Sequence, residues 1–141
     1  MQAKNGDFYG VTSEWPDPSG TVFKITPAGA LTTLYTFCAL PNCTDGEGPI
    51  SLMQATNGDF YGTTIGGGAR RRGTIFKING EGTLTVLHSF HGPPRGEEPS
   101  SGLLQATDGN FYGAAFGGGA NNAGTIFKIT QSGTLTTLYS F

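Results

Sequence analysis

The residues of this sequence that could do chemistry are few and scattered. Asp7, Asp59 and Asp108 stand in three copies of one short phrase, NGDFYG at residues 5–10 and 57–62 and DGNFYG at residues 108–113. Carboxylates converging on one channel would suit an acid–base hydrolase or lyase. Asn and Asp beside a turn glycine already have a turn-forming job, however, and Asp108 aligns with Asn57 and not with Asp59. The two histidines, His88 and His91, form no paired metal ligand set. His88 occupies the place of Tyr35 and Tyr139 in the sister repeats, as a substituted packing position would, and His91 lies in a Pro- and Gly-rich loop. No G-x-S-x-G or H-E-x-x-H pattern is present. GARRRGT, residues 68–74, has the glycines of a phosphate loop without its lysine, and it leads into a strand instead of a helix N-terminus. Cys38 and Cys43, in FCALPNC, are spaced for a small disulfide loop that an oxidising compartment would favour. The plain alternative is two free thiols, and two thiols without paired histidines do not make a zinc site. No cofactor is implied.

What must position these residues is a repeat. The strings QAKNGDFYG, QATNGDFYG and QATDGNFYG begin at Gln2, Gln54 and Gln105, spacings of 52 and 51 residues, and each continues into FKI and a Thr- and Leu-rich run ending in Phe37, Phe90 or Phe141. Self-similarity at this period governs the fold. The units run over residues 1–37, 38–90 and 91–141 of a single repeat domain. Within a repeat, what recurs is mostly architecture: Phe8, Phe60 and Phe111, Tyr9, Tyr61 and Tyr112, and Lys24, Lys77 and Lys128, whose stems can lie along apolar surface with the ammonium in water.

Composition agrees. Twenty-four glycines in 141 residues argue against a helical protein, while 36% apolar and 11% aromatic residues are too many for a disordered chain. A net charge of −2, from eight basic and ten acidic residues, excludes nucleic-acid or membrane-surface binding by bulk charge. No apolar run approaches the ~18 residues of a spanning helix.

The second unit reads as four strands. Residues 51–56 and 60–65 flank the Asn57-Gly58 turn, a glycine-rich loop covers residues 66–73, and residues 74–78 and 83–90 flank a turn at residues 79–82. Residues 91–102, with three prolines and three glycines, read as an irregular connection. Four short strands cannot bury both of their faces alone, so neighbouring units must cover them. The expected fold is all-β: β-propeller blades, three four-stranded antiparallel repeats of about 51 residues.

GTIFKI, then GTLTTLYSF, with LLQATDGNFYG one repeat-loop away, resembles the GloVer tandem repeat of bacterial secreted and surface proteins, over nearly the whole chain. The resemblance implies a propeller outside the cytoplasm, extracellular or at the cell surface, with no assigned enzyme activity, and export favours the Cys38–Cys43 bond. The first unit departs from the pattern, reading TSEWPDPSG where the others carry GGGARRRG and GGGANNAG. The residues that do not recur, Trp15, Arg70, Arg71, Arg72, Asn121 and Asn122, are the candidate ligand-binding rim, for a glycan or protein ligand. The preferred reading is a non-catalytic scaffold or binding module, and the competing one is an exported propeller enzyme using the turn carboxylates. Three blades leave two complementary faces, so the expected partner is a second copy, giving a six-bladed homodimer, with a trimer or filament as fallback.

Overall fold

The computed structural model describes residues 1–13, 19–92 and 97–141, with the backbone alone at residue 97. Twelve strands among the described residues form three antiparallel sheets in chain order. The first holds β1 (Phe8–Thr12), β2 (Thr21–Ile25) and β3 (Leu31–Thr36). The second holds β4 (Glu47–Gln54), β5 (Phe60–Gly66), β6 (Thr74–Ile78) and β7 (Leu84–Ser89). The third holds β8 (Glu97–Pro99), β9 (Leu104–Gln105), β10 (Phe111–Gly117), β11 (Thr125–Ile129) and β12 (Leu135–Ser140). Each sheet is a meander of hairpins, as runs of β-branched and aromatic residues separated by Asn-Gly-type turns dictate. One 3-10 turn, Pro41–Cys43, is the only departure from strand and loop among the described residues.

The Asn-Gly turns take a form that the dipeptide alone does not fix. Only the glycine goes left-handed, φ +88°, +92° and +80° at Gly6, Gly58 and Gly109. Asn57 instead uses its Oδ1 to accept the Asp59 N–H at 3.1 Å, and its Nδ2 donates to the Tyr61 hydroxyl at 3.2 Å. In the third unit the pair is exchanged: Asp108 Oδ1 accepts the Asn110 N–H and Asp108 Oδ2 accepts the Tyr112 hydroxyl at 2.9 Å. The tyrosine hydroxyl therefore reverses from acceptor to donor, and the turn survives the exchange.

The expectation of four strands per unit needs correction at both ends. In the first unit the residues before β1 make a single bridge, Gln2↔Phe8, braced by hydrogen bonds between Met1 and Tyr9. In the third, part of the expected irregular connection is strand β8, paired through Pro99↔Ala115 and Glu97↔Gly117. The second unit has the same pairing, Pro49↔Thr64 and Glu47↔Gly66, so β4 starts four residues before the expected Ser51. Proline is tolerated there because β4 and β8 lie at the edge of their sheets, where a missing N–H breaks no ladder bond. From Pro49 to Met53 the chain advances four residues, and from Pro99 to Leu104 it advances five, while the facing stretches 61–64 and 112–115 are equal. That one inserted residue splits the third unit's counterpart of β4 into β8 and β9.

The units adhere face to face through recurring rings. Tyr9 stacks on Phe60 at 4.2 Å and Tyr61 on Phe111 at 4.1 Å. Phe37 meets Phe76 edge-on at 5.0 Å, and Phe90 meets Phe127 at 5.6 Å. These rings anchor two hydrophobic clusters, one per joint. Each buried ring stabilises by about 2 kcal/mol through burial, with up to about 1 kcal/mol more from ring geometry. A β-bulge recurs at one rung in every unit, between Val22/Phe23, Ile75/Phe76 and Ile126/Phe127. It leaves Leu34 and Leu87 unpaired and packed into the clusters, with their carbonyls against Gly82 and Gly133 of the next unit's turn. A Cβ at either glycine would collide with that carbonyl.

Candidate ligand site on the rim

The β5–β6 and β10–β11 loops fold alike. Gly67, Gly68, Gly118 and Gly119 all have φ between +70° and +79°, and the N–H groups of Gly73 and Gly124 bond back to the carbonyls of Gly67 and Gly118. Left-handed geometry is what the glycine runs provide. A second reason applies at Gly67, where a Cβ would meet the Cys43 carbonyl oxygen at 2.5 Å and the Gly46 backbone at 2.6 Å. Loop and preceding connection are thus packed backbone to backbone, with the Gly68 N–H donating to Cys43 O at 2.9 Å.

That connection is itself tightly held. Cys38 and Cys43 are joined as a disulfide, closing a ring in which Cys38, Asn42 and Cys43 are left-handed. Asp45, fully buried, accepts from the N–H groups of Ala39 and Leu40 and from the Tyr35 hydroxyl at 2.9 Å. Burial first, then the bond and charge of Asp45, push the Tyr35 phenol up to about 12. Among the described residues the one grouping with metal-ligand character is Cys38, Cys43 and Glu47, and both of its sulfurs are spent in the disulfide.

Between this ring and the glycine loop lies a depression of about 390 Å³, lined by Asn42, Thr44, Gly68, Ala69, Arg70 and Arg71. Two guanidiniums, an amide and a hydroxyl can hold a carboxylate or a polyhydroxylated ligand. Arg70 and Arg71 are exposed and have no acidic partner among the described residues. Arg72 points elsewhere: its Nη1 lies 3.9 Å from Glu98 Oε1, and its carbonyl accepts the Glu98 N–H. Arg71 and Asn122 share one left-handed position, but Asn122 Oδ1 accepts the Gly118 N–H at 2.9 Å and so closes its own loop, which an arginine cannot do. Asn121 is exposed beside it. Trp15, with Glu14 and Asp17, lies outside the described residues. Asn42 and Thr44 joined the site unforeseen, because their part in it depends on a packing contact between segments about 25 residues apart in sequence.

The competing carboxylates are tied up singly. Asp7 sits 3.3 Å from Asn5 Nδ2, Asp59 lies 3.8 Å from Lys77 Nζ, and Asp108 accepts from Asn110 and Tyr112. Those bonds from Asn110, with that from Tyr112, hold Asp108 below the usual carboxylate range. His88 is half-buried, edge-on to Phe90 at 5.2 Å, and His91 is exposed. No helix of the described residues is long and apolar enough to cross a membrane.

No curated protein matches the sequence. Among solved structures the chain is similar to an X-ray structure provisionally described as a gluconolactonase, with a TM-score of 0.62 and 14% identity over 98% of this chain and 47% of the other. The chain therefore spans about half the length of that structure, and the likeness carries the propeller-like fold alone. The Gloeobacter/Verrucomicrobia repeat model matches residues 1–141, and the chain belongs to that repeat family.

Proposed function

We propose that the chain is a non-catalytic repeat scaffold, working outside the cell or on its surface, whose blades assemble head to tail and whose rim binds an acidic glycan or the acidic segment of a protein. The observation that carries this reading is the convergence of non-repeating residues. Arg70 and Arg71 meet Asn42 and Thr44 in one depression, whereas the recurring Tyr, Phe and Asp residues are consumed by packing and turns. Variable loops on a rigid frame are where recognition concentrates. Binding of a uronate oligosaccharide, measured calorimetrically on the purified chain, tests it. The expected result is salt-sensitive binding, weakened about tenfold or more by Arg70→Ala with Arg71→Ala. Equal affinity in the double variant overturns the rim site.

One observation favours an enzyme instead: the structural neighbour is described as a gluconolactonase. Lactone or glycan turnover that disappears in Asp59→Asn would replace the scaffold reading. The separate commitment of each turn carboxylate supports the non-catalytic one.

A further inference from the structure

We infer that the open face of the third unit docks on the open face of the first unit of a second copy of this chain, placing Tyr112 and Phe141 of one copy against Phe8 and Phe23 of the other. The inference rests on the scaffold reading and names the partner of its blades.

The interface is already visible twice inside the chain. At each joint a unit offers a Tyr and a terminal Phe, and the next unit receives them with the Phe that opens the strand before its FKI strand and a Phe in its FKI strand. Phe60, which receives Tyr9, is 3% exposed, and its counterpart Phe8 is 42% exposed. Phe90, which inserts beside Phe127, is 1% exposed, and its counterpart Phe141 is 52% exposed. Both halves of one contact are therefore present, unmade, on opposite faces.

The finer features match as well. Gly82 and Gly133 lie under the carbonyls of Leu34 and Leu87, while their counterpart Gly29 has nothing within 4 Å and the counterpart of the leucines, Leu138, is exposed. The receiving face also holds a depression of about 390 Å³ lined by Thr12, Thr21, Phe23, Leu31 and Thr33. In the second unit the corresponding Thr64, Thr74 and Phe76 are fully buried, beneath Phe37 and the Gly46 backbone. The depression is the place where a preceding unit's phenylalanine belongs.

Head-to-tail contact of this kind closes into a ring when the rotation permits. Two copies supply six blades, inside the usual four to eight, whereas three supply nine. The similar solved structure, of which this chain spans 47%, has about the length of two copies.

Light scattering coupled to size exclusion, from about 1 to 100 μM, tests the inference. The expected species has twice the 14.7 kDa chain mass. Phe141→Asp, on the donating face, and Leu31→Asp, on the receiving face, alter exposed residues, and circular dichroism checks that both still fold. Each variant alone should dissociate about thirtyfold more readily, as loss of a buried anchor predicts. Mixed at equal amounts, they should recover a heterodimer through the one interface that keeps both intact faces. A wild-type monomer throughout the range overturns the docking, as does a Leu31→Asp variant that stays dimeric. A trimer or open filament overturns the twofold closure. Glycan binding measured on the folded monomeric variants separates this outcome from failure of the rim site.

Discussion

The two joints between units share an aromatic frame and differ in the polar layer beside it. At the first joint every buried polar side chain among the described residues is answered. Asp45 takes three donors, Thr64 and Thr74 share a hydroxyl contact at 2.8 Å, and Gly46 packs against that pair. At the second joint His88 replaces Tyr35 and Ala115 replaces Thr64, so Thr125 Oγ1 is left buried without a hydrogen-bond partner. Ring positions and register are nonetheless the same. The rings therefore hold units together, and the polar layer adjusts how firmly each joint is closed.

The hardest blow to the first joint is Gly67→Val, which sets a branched side chain at φ +70° against the Gly46 backbone. A loss of more than about 2 kcal/mol is expected. Gly58→Ala, left-handed but with open space around it, should lose only about 1 kcal/mol in the same urea titration. Equal midpoints for the two variants would remove the close-packing argument. Opening the Cys38–Cys43 ring comes next, at about 2 kcal/mol for so short a loop in the chain-entropy account. Intact-mass analysis after alkylation of unreduced protein should find no free thiol, and two alkylated thiols would contradict the bond.

Exchanging the threonine environments sharpens the contrast. Thr64→Ala strands the Thr74 hydroxyl and should cost about 1–2 kcal/mol, whereas Thr125→Val removes a hydroxyl that is already stranded and should be neutral or stabilising by up to about 1 kcal/mol. A larger loss from Thr125→Val than from Thr64→Ala would refute the assignment. The smallest effect is a pH dependence. The Tyr35 phenol is raised in the folded state from 10.0 to about 12, so its contribution is complete below pH 10 and disappears as pH rises toward 12. Stability of the native chain should fall across that window, and Tyr35→Phe should flatten part of the fall.

Much of the frame can be read from the sequence because local signals and burial agree there. The repeat spacing, the FKI strands and the left-handed glycines of the GGG loops all stand as the residues imply. The start of β4 and the strand β8 escaped because Pro49 and Pro99 look like loop punctuation until the pairing puts them on a sheet edge. Asp45 carries no motif in the sequence, and its complete burial depends on Tyr35 ten residues earlier and on the closed cysteine ring. Half of the rim depression was similarly hidden: Arg70 and Arg71 stand out as a charge run, whereas Asn42 and Thr44 acquire meaning only through the backbone contact at Gly67. Arg72 and Asn122 share the composition of the rim but are occupied with Glu98 and Gly118.

The bulge repeated at one rung of β3, β7 and β12 bears on how such a glycine-rich β-protein avoids amyloid-like growth. These are the outermost strands of their sheets, whose free N–H and C=O groups would otherwise form a template for foreign strands. An unpaired Leu34, Leu87 or Leu138 twists that ladder out of step and spoils the template. Leu34 and Leu87, which seat one unit on the next, thus also blunt sideways strand addition.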